Sequence, residues 1–351
     1  MIYINDESYP IEFAKEAKLC PHIALKYGKD SFIYKTAQFI EEFYNNKSYV
    51  EVLTSGSTGK PKSIRAEKQR MLASASMTVS FLRLKEKNTV LLCMPLEHIA
   101  GKMVIVRALY QNLKIITQKP SANPFATAPQ NLDFAAITPM QAYCALEDEH
   151  SRKIMASCRK IIIGGGFIDK NLYEKLITLP CEIYHSYGMT ETLSHIALKR
   201  ISKEKYEFKP LPGVTVNLSA RGTLVIDAPK ICSQLLETND IAEITDNGFI
   251  IKGRIDNVIN SGGIKLIPEE IEEKLSLVIK TPIAVTARKS SKFGEEAILI
   301  SEQELNETLL NKAYQNLNKY EKPKAVIINK IPLTATNKIN RAQLKALFFK
   351  I

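Results

Sequence analysis

The sequence predicts an α/β fold, because short apolar runs typical of buried strands alternate with segments of helical periodicity. The strand candidates are Val90–Met94, Lys114–Thr117, Phe134–Ile137, Lys160–Ile163, Glu182–His185 and Thr223–Asp227. Between them, Glu67–Leu82 carries apolar residues at helical spacing, and Lys170–Leu179 predicts a short helix. The order of strand, Gly164–Gly166, helix and strand is typical of a βαβ unit, which faces its ligand at the carboxyl end of the strand.

The length and composition favour two domains. A chain of 351 residues is long enough for about two, and 45% hydrophobic residues suffice for a sizeable core. A strand ends near Lys252, and Gly253–Asp256 predicts a flexible break. We therefore expect a large domain over residues 1–253 and a compact α+β domain over residues 254–351.

Two helices are predicted beyond this break. Pro268 suits the first position of a helix, and the two glutamates that follow it suit the positive end of the helix dipole. Further on, Ser301 and Glu304 have the spacing of a capping box for a second helix.

The charge and the cysteines narrow the class of protein. A net charge of +11 favours anionic partners, but the lysines are spread along the chain and no nucleic-acid-binding signature occurs, so we predict no nucleic-acid partner. Six scattered cysteines without a C-x-x-C pair fit a reducing cytosol, and we expect a cytoplasmic protein. The sequence shows no secretory signal, and no apolar run approaches the ~18 residues that span a bilayer, so we expect no stable membrane insertion.

The segment Thr54–Lys62 combines glycines, hydroxyls and lysines in one turn, which is typical of a phosphate-binding loop. It is not the common P-loop, because Pro61 follows Lys60. A flexible linker is the alternative for such a run taken alone. Its candidate phosphate contacts are Thr54, Ser55, Gly56, Ser57, Thr58, Gly59, Lys60 and Lys62.

Residues that follow two of the predicted strands add candidates for a nucleotide site. Glu191, within Tyr184–Thr192, could hold Mg²⁺ at the carboxyl end of a strand, although an ordinary polar loop is the alternative. Gly164–Gly166 could let an adenine lie against bare backbone, or could form only a turn.

Three residues further along the chain have two interpretations each. Asp240 could accept hydrogen bonds from ribose hydroxyls, or lie in a surface turn. Arg254 could form a fork with a phosphate or the ribose, or an ion pair with Asp256. Lys338 could reach a distant site by domain closure, or be a solvated surface lysine.

Taken together, these motifs resemble the adenylate-forming superfamily, which includes acyl- and aryl-CoA synthetases, peptide-synthetase adenylation domains and luciferases. They occur in the family's order from Thr54 to Arg341. The resemblance implies a large N-terminal α/β domain, shortened at its N-terminus, and a small mobile C-terminal α+β domain. It also implies ATP, Mg²⁺ and CoA as cofactors and co-substrate.

The resemblance implies a role for each matching residue. Thr58 and Glu191 would serve Mg²⁺, and Lys338 would bridge the substrate carboxylate and the α-phosphate. Asp256 would be the hinge of the small domain. The implied nucleotide contacts outside the phosphate loop are Gly164, Gly165, Gly166, His185, Ser186, Tyr187, Gly188, Thr190, Asp240 and Arg254. The implied border of the CoA tunnel is formed by Ser261, Gly262 and Gly263.

The chain departs from the family pattern at several places. Ser63, Asn239 and Asn337 stand where glycine is usual, and asparagine tolerates a left-handed backbone. The 53 residues before the phosphate loop are fewer than family members usually carry, which leaves the wall of the acyl pocket undetermined.

The segment from Pro95 to Gly101 gives the clue to the acid. Its Pro-x-x-His-Ile-x-Gly pattern resembles the o-succinylbenzoate–CoA ligases of menaquinone synthesis, including compact bacterial forms. There His98 would border the acid, although a structural histidine is the alternative. The other candidates for the acid pocket are Lys102, Arg107, Thr138 and Met189.

The sequence therefore predicts an ATP-dependent acid–CoA ligase that acts on o-succinylbenzoate. The alternatives are another aryl- or acyl-CoA ligase, a stand-alone adenylation enzyme that loads a carrier thiol, and a non-catalytic adenylate-binding protein. Intact Glu191 and Lys338 argue against the last of these. The sequence leaves open whether the chain forms a homo-oligomer.

Overall fold

The chain forms two compact units, residues 1–215 with 227–236 and residues 216–226 with 237–351. The computed structural model describes residues 1–53, 63–204, 207–334 and 339–349. Residues 237–253 group with the second unit, whereas the sequence assigns them to the large domain. The role of Asp256 as a hinge concerns motion and stays a prediction. None of the described helices is both long and apolar enough to cross a bilayer.

The first unit is built on a nine-stranded sheet. Its described strands are β1 (Ile2–Ile4), β2 (Glu7–Tyr9), β3 (Tyr49–Leu53), β4 (Ser63–Glu67), β5 (Thr89–Leu92), β6 (Lys114–Thr117), β7 (Phe134–Ile137), β8 (Lys160–Ile163), β9 (Glu182–Gly188), β10 (His195–Arg200) and β11 (Lys209–Pro210). The sheet order is β11-β10-β9-β8-β7-β5-β6-β1-β2, and its six strands from β9 to β1 run parallel. Strands β3 and β4 form a separate antiparallel pair.

Helices cover this sheet. They are α1 (Ile11–Lys15), α2 (Leu19–Tyr27), α3 (Phe32–Tyr44), α4 (Lys68–Leu82), α5 (Ile99–Gln111), α6 (Pro139–Glu147), α7 (Glu149–Ser157) and α8 (Lys170–Leu176), with 3₁₀ turns at Pro124–Ala126 and Thr190–Thr192. The central parallel strands β5, β7 and β8 are almost entirely buried on both faces, as strands between helical layers must be. Leu91, Ala135 and Ile163 belong to a core cluster that includes Ala142 of α6 and Leu172 of α8. This core fixes the carboxyl ends of the strands, where an α/β sheet places its ligand.

The second unit holds two further sheets. Its strands are β12 (Thr215–Leu218), β13 (Thr223–Asp227), β14 (Leu236–Thr245), β15 (Gly248–Arg254), β16 (Ile259–Ser261), β17 (Ile264–Leu266), β18 (Ile283–Ser290), β19 (Gly294–Ser301) and β20 (Val326–Ile328). Strands β12 to β15 form one sheet in chain order, and β17-β16-β19-β18 form the other, with β20 parallel to β19. Its helices are α9 (Pro268–Ser276), α10 (Glu307–Tyr314) and α11 (Arg341–Phe348), with a 3₁₀ turn at Ile255–Asn257.

Side-chain alternation along β19 gives the second of these sheets two covered faces. Ile298 and Ile300 pack in one cluster with Leu344 of α11, whereas Leu299 packs in another with Leu275 of α9. The period of two along the strand thus separates two small cores.

The predicted α/β architecture is confirmed, with several shifted boundaries. Four strands (β6, β7, β8 and β13) have the predicted bounds, and α9 begins at Pro268 as predicted. Strand β5 covers Thr89–Leu92 rather than Val90–Met94, and α8 ends at Leu176. Strand β9 continues beyond the predicted His185 to Gly188, because its pairing with β10 extends to that residue.

Two local predictions are wrong. Ser301 does not cap a helix, because it is the buried last residue of β19 and its hydroxyl donates to the Gln303 carbonyl (2.8 Å). Helix α10 is capped instead by Asn306, whose side chain accepts from the Leu309 N–H (2.8 Å). The predicted break at Gly253 is strand, because β15 pairs with β14 up to Arg254.

Candidate active site

The glycines at the carboxyl end of β8 lie against β9. Ser186 Oγ donates to the Ile163 carbonyl (3.3 Å), and His185 Nε2 lies 3.2 Å from the Gly166 carbonyl oxygen. A Cβ on Gly164 would overlap the Ser186 hydroxyl, so a side chain there would displace that hydroxyl from its present position. The glycines predicted to flank the base and the predicted nucleotide residues of β9 therefore lie together.

An aromatic surface lines one face of β9. His185 and Tyr187 lie two residues apart on the strand, so that their side chains share a face. Their rings pack against Phe208, with ring centroids 5.4 and 5.7 Å from it. Phe208 was missed by the sequence analysis, because it lies just before the two-residue strand β11 and no periodic pattern marks it. The ring predicted to stack on adenine thus has a buried aromatic support.

Glu191 lies in the 3₁₀ turn that follows β9, and hydrogen bonds on both sides hold the turn. The buried Thr192 hydroxyl accepts from the Met189 N–H (3.0 Å) and donates to the Ser194 carbonyl (2.7 Å). The Cys232 thiol donates to the Glu191 carbonyl (3.0 Å). These contacts fix the backbone of the turn, and the Glu191 side chain is exposed.

The Glu191 carboxylate fits a Mg²⁺ site of the nucleotide-binding kind. Among the described residues it has no ion-pair partner. The described ranges contain no group of three or more His, Cys, Asp or Glu side chains that could hold a metal ion. Mg²⁺ commonly takes one or two carboxylates and completes its shell with phosphate oxygens and waters. Thr190, which precedes Glu191 in the same turn, carries a hydroxyl.

The phosphate segment is flanked by paired residues. Thr54–Lys62 itself, with all its predicted contacts including the Mg²⁺ candidate Thr58, lies outside the described residues. Leu53 pairs with Ser63 at the end of the β3–β4 ladder, and the Leu53 N–H donates to the Glu97 carbonyl (3.3 Å). The two ends of the segment are therefore held side by side, next to the residue that precedes His98.

Lys338 also lies outside the described residues, but the chain on both sides of it is anchored. Leu333 and Ile339 form an antiparallel bridge. The Arg341 guanidinium, at the start of α11, forms a fork with the Glu272 carboxylate of α9, with Nη1–Oε1 and Nη2–Oε2 distances of 2.7 and 2.6 Å. The segment that carries Lys338 is thus fixed to the second unit at its end.

The predicted ribose residues lie next to each other. Asp240 and Arg254 are cross-strand partners on β14 and β15, with 3.1 Å between Oδ1 and Nη1. Arg254 Nη2 also lies 2.8 Å from Asp256 Oδ2, so the ion pair named as the alternative for Arg254 is present. The Asn239 amide donates to both oxygens of Asp256 (3.3 and 3.2 Å). The predicted hinge residue is therefore tied to the predicted ribose pair.

The predicted CoA-tunnel residues form a tight hairpin. Ser261 ends β16 and pairs with Ile264 of β17, so that Gly262 and Gly263 are the two turn residues. Their φ angles are +58° and +83°, the left-handed region that a two-residue hairpin turn of this type demands. The Gly262 N–H donates to the Phe293 carbonyl (2.9 Å). This turn presents bare backbone, as a narrow passage for a thiol arm requires.

On the acid side, His98 and Lys102 lie at the start of α5. His98 is the exposed N-cap residue of this helix, and its backbone bridges to Leu53. Lys102 is 8% exposed, and its ammonium donates to the Glu51 carbonyl (2.7 Å) and lies 3.8 Å from the Glu42 carboxylate. Burial lowers the pKa of Lys102. Its charge is therefore already engaged within the protein.

Arg107, on the same helix, is buried and has no carboxylate partner within the part of the chain that the structure describes. It is 3% exposed, its Nη2 donates to Ser194 Oγ (2.6 Å), and its buried Nε has no hydrogen-bond partner among the residues that the structure describes. No carboxylate among the described residues pairs with it. Burial lowers the pKa of Arg107 to about 10. A buried charge without a counter-charge is costly, so an anionic partner would stabilise it.

Residues that the sequence analysis missed surround Arg107. Ser194 Oγ lies 3.3 Å from His195 Nδ1, and His195 Nε2 lies 3.0 Å from Thr78 Oγ1, whose hydroxyl also donates to the Ser74 carbonyl (3.2 Å). His195 is 8% exposed, and burial, followed by the charge of Arg107, holds its pKa well below the ordinary value. No local pattern predicts this cluster, because it joins α4, α5 and the start of β10.

The remaining acid candidates have structural contacts. Thr138 is the N-cap of α6 and forms a capping box with Gln141, whose N–H donates to Thr138 Oγ1 (3.2 Å). Met189 links β9 to the Glu191 turn. Each follows the carboxyl end of a parallel strand. Thr138 follows β7 and Met189 follows β9, with β8 between these two strands in the sheet.

Known proteins resemble this chain over most of its length. The 2-succinylbenzoate–CoA ligase of Listeria monocytogenes is 27% identical over 344 residues, which cover 89% of this chain and 73% of that ligase. The ligase of the same name from Lactococcus lactis is 27% identical over 329 residues, covering 87% and 72%.

Solved structures share the fold. The acyl-CoA synthetase (AMP-forming)/AMP-acid ligase II-like protein of Dyadobacter fermentans superposes with a TM-score of 0.65 at 31% identity, covering 93% of this chain and 96% of that one. The o-succinylbenzoate CoA synthetase of Bacillus subtilis, in complex with ATP and magnesium, gives a TM-score of 0.70 at 23% identity, covering 84% and 69%. The model of the AMP-binding enzyme family matches residues 29–227, more than half of the chain. The protein therefore has the adenylate-forming fold and belongs to the AMP-binding enzyme family.

Proposed function

We propose that this protein activates 2-succinylbenzoate with ATP and then joins it to CoA, as a step of menaquinone synthesis. A carboxylate oxygen of the acid attacks the α-phosphorus of ATP, the bond to the β-phosphate oxygen breaks, and pyrophosphate leaves. The thiol of CoA then attacks the acyl carbon, loses its proton to solvent and displaces AMP. The names of the Listeria and Lactococcus relatives support this choice of acid.

The choice of acid rests on the guanidinium of Arg107, which is buried and has no carboxylate partner among the described residues. 2-Succinylbenzoate has two carboxylates, so that one remains charged while the other is activated. Burying an unpaired charge is costly, and a bound carboxylate would offset that cost through charge-assisted hydrogen bonds. An acid with a single carboxylate would leave Arg107 without a counter-charge.

Arg107 suits this role better than the other candidates. The ammonium of Lys102 is engaged by Glu51 and Glu42, and the hydroxyl of Thr138 caps a helix. Arg107 has one neutral partner, and its Nε–H has none among the described residues. Its contact Ser194 lies three residues after Glu191, so the proposed acid pocket adjoins the turn that serves the nucleotide.

The nucleotide residues take the roles that their family matches imply. Glu191 would hold Mg²⁺ together with Thr58, and the bound ion would neutralise charge on the phosphates. Asp240 and Arg254 would hold the ribose, and Tyr187 would stack on the adenine. Lys338 would offset the repulsion between the attacking carboxylate and the α-phosphate. The other predicted contacts of the phosphate loop and of Gly164–Gly166 keep their proposed roles.

The second half-reaction requires a rearrangement. We propose that residues 254–351 rotate about Asp256, so that Lys338 withdraws and the hairpin at Gly262 and Gly263 borders the CoA tunnel. A cytoplasmic location fits the six free cysteines. The stoichiometry of the assembly stays open, and a homo-oligomer is compatible with the proposal.

The activity is tested by exchange of labelled pyrophosphate into ATP and by mass detection of the acyl-CoA product. We expect exchange that depends on 2-succinylbenzoate, and a 2-succinylbenzoyl-CoA product. The absence of exchange with a broad panel of acids would overturn the ligase proposal. Transfer to a carrier-protein thiol instead of CoA would identify a stand-alone adenylation enzyme.

The role of Arg107 is tested with acids that lack one carboxylate, 4-oxo-4-phenylbutanoate and 2-butanoylbenzoate. We expect Arg107→Gln to raise the KM for 2-succinylbenzoate at least tenfold, because a hydrogen-bonded charge pair contributes about 1.5–3 kcal/mol, and to reduce the preference over the single acids. Lys102→Met removes another buried cation of the same helix and serves as the matched comparison. Equal loss of preference in both variants would assign the second carboxylate to both cations.

A further inference from the structure

One assignment of protons gives each of the four hydrogen bonds in the cluster around Arg107 a donor and an acceptor. The guanidinium can only donate, so that Ser194 Oγ accepts from it. The Thr78 hydroxyl donates to the Ser74 carbonyl, and therefore accepts from His195 Nε2. Neutral His195 then carries its proton on Nε2, and its bare Nδ1 accepts from the Ser194 hydroxyl. Each group in the series from Arg107 through Ser194, His195 and Thr78 thus donates a hydrogen bond to the next, and the series ends at the Ser74 carbonyl.

This arrangement makes His195 the residue that fixes Ser194. A serine hydroxyl rotates freely unless its hydrogen has an acceptor, and His195 Nδ1 lies 3.3 Å from it. With its hydrogen held by Nδ1, the Ser194 oxygen presents a lone pair to Arg107 Nη2, 2.6 Å away. The guanidinium is planar and rigid, so fixing Nη2 also fixes the direction of the buried Nε–H.

We propose that His195 is a positioning residue for acid recognition, which aligns the Arg107 guanidinium, through Ser194, with the second carboxylate of the substrate. The inference rests on the proposed function, since it assumes that Arg107 binds that carboxylate. His195 itself does not touch the acid. It acts as a neutral, singly oriented imidazole that is held from behind by Thr78.

The test measures the KM for 2-succinylbenzoate and the KM for ATP on the same preparation of each full-length variant. His195→Leu removes the acceptor for Ser194, and we expect it to raise the KM for the acid about tenfold, since the misaligned hydrogen bond is made to a charged group, while the KM for ATP stays within about threefold. His195→Asn keeps an acceptor near the position of Nδ1, and we expect it to restore most of the affinity for the acid. The ratio of the two KM values does not depend on the fraction of folded enzyme.

Two threonine variants examine the far end of the chain of hydrogen bonds. Thr78→Val keeps the shape of the side chain but removes the acceptor for Nε2–H, so that the imidazole loses its orientation, and we expect the acid KM to rise in the same direction. Thr36→Val is the matched control. Thr36 is equally buried, and its hydroxyl bonds within helix α3 to the Phe32 carbonyl (2.9 Å), away from the cluster.

The outcomes separate this inference from the proposed function. If Arg107→Gln leaves the acid KM unchanged, the assignment of the second carboxylate fails, and the role of His195 fails with it. If Arg107→Gln raises the acid KM but His195→Leu does not, only the positioning role is overturned. That role is likewise overturned if His195→Asn is as impaired as His195→Leu, or if Thr36→Val matches Thr78→Val.

Discussion

Replacing Arg341 with methionine tests the energetics of the second unit. The Arg341–Glu272 fork joins α11 to α9, and the two side chains are 21% and 14% exposed. Glu272 also accepts from the Val285 N–H (2.5 Å), so its carboxylate stays in place when the arginine is lost. Removing one partner of a buried pair leaves an uncompensated charge, which costs about 3–5 kcal/mol. We expect Arg341→Met to lower the stability of this unit by about 3 kcal/mol at pH 8.

The pH dependence of this loss gives a second, sharper expectation. Burial already raises the pKa of Glu272 above its ordinary value of 4.5, and loss of the arginine raises it further. A carboxyl with a raised folded-state pKa binds its proton more readily when folded, so that lowering the pH relieves the destabilisation. The penalty of Arg341→Met is therefore fully present above the folded-state pKa of Glu272 in the variant. It shrinks as the pH falls from there towards the lower folded-state pKa of Glu272 in the parent protein, by up to about 1.4 kcal/mol per pH unit.

Native-state hydrogen exchange of the β18 and β19 amides reports the opening free energy of this unit directly. Arg288→Met is the matched control, because Arg288 pairs with Glu296 (2.7 Å) on the same sheet but is 38% exposed. We expect the control to cost less than about 1 kcal/mol. An Arg341→Met penalty no larger than that of the control, or one that does not narrow between pH 8 and pH 5.5, would refute the reasoning.

Three further outcomes concern the reaction. Lys338→Ala is expected to abolish adenylation and spare CoA transfer to preformed acyl-adenylate, measured in separate half-reactions; equal loss in both contradicts its role. Glu191→Gln is expected to raise the Mg²⁺ concentration for half-maximal pyrophosphate exchange at least tenfold, and an unchanged Mg²⁺ titration would exclude it as a ligand. Gly262→Ala is expected to slow thioester formation more than adenylation. It is also expected to lower the stability of the protein by about 1–2 kcal/mol, because the φ angle of Gly262 is positive. A faster second half-reaction in this variant would count against a CoA tunnel at this turn.

The parts of the fold that the sequence predicts well are those with strong local signals. The strands at Lys114–Thr117, Phe134–Ile137 and Lys160–Ile163 each contain two to four consecutive apolar residues, and burial inside a parallel sheet produces that pattern. Ser301 has the composition of a helix start, yet β19 continues through it because its neighbours alternate between two cores. Gly253 has the composition of a break, yet cross-strand pairing with Ile241 retains it in β15.

The candidate site likewise contains residues that have a local sequence signal and residues that have none. Glu191 and Asp240 lie in motifs that are contiguous in the chain, so a single sequence marks them as candidates, and their roles stay predictions. The pairing of Asp240 with Arg254 is implied only weakly, since it depends on the register of β14 and β15. His195 is separated from Thr78 by 117 residues, and only the packing of α4 against the start of β10 brings them together. Long-range polar clusters of this kind leave no periodicity for sequence analysis to detect.

The directional cluster from Arg107 to Thr78 has a consequence for how the choice of acid could change during evolution. Each side chain in the cluster is a hydrogen-bond partner of the next. Replacing one of them therefore leaves a buried donor or acceptor of its neighbour without a partner, at a cost of about 1–3 kcal/mol in stability. Drift by single substitutions would therefore pass through poorly stable intermediates. A library that seeks a new acid should randomise Thr78, Arg107, Ser194 and His195 together, because the route to another specificity lies in coordinated exchange of all four.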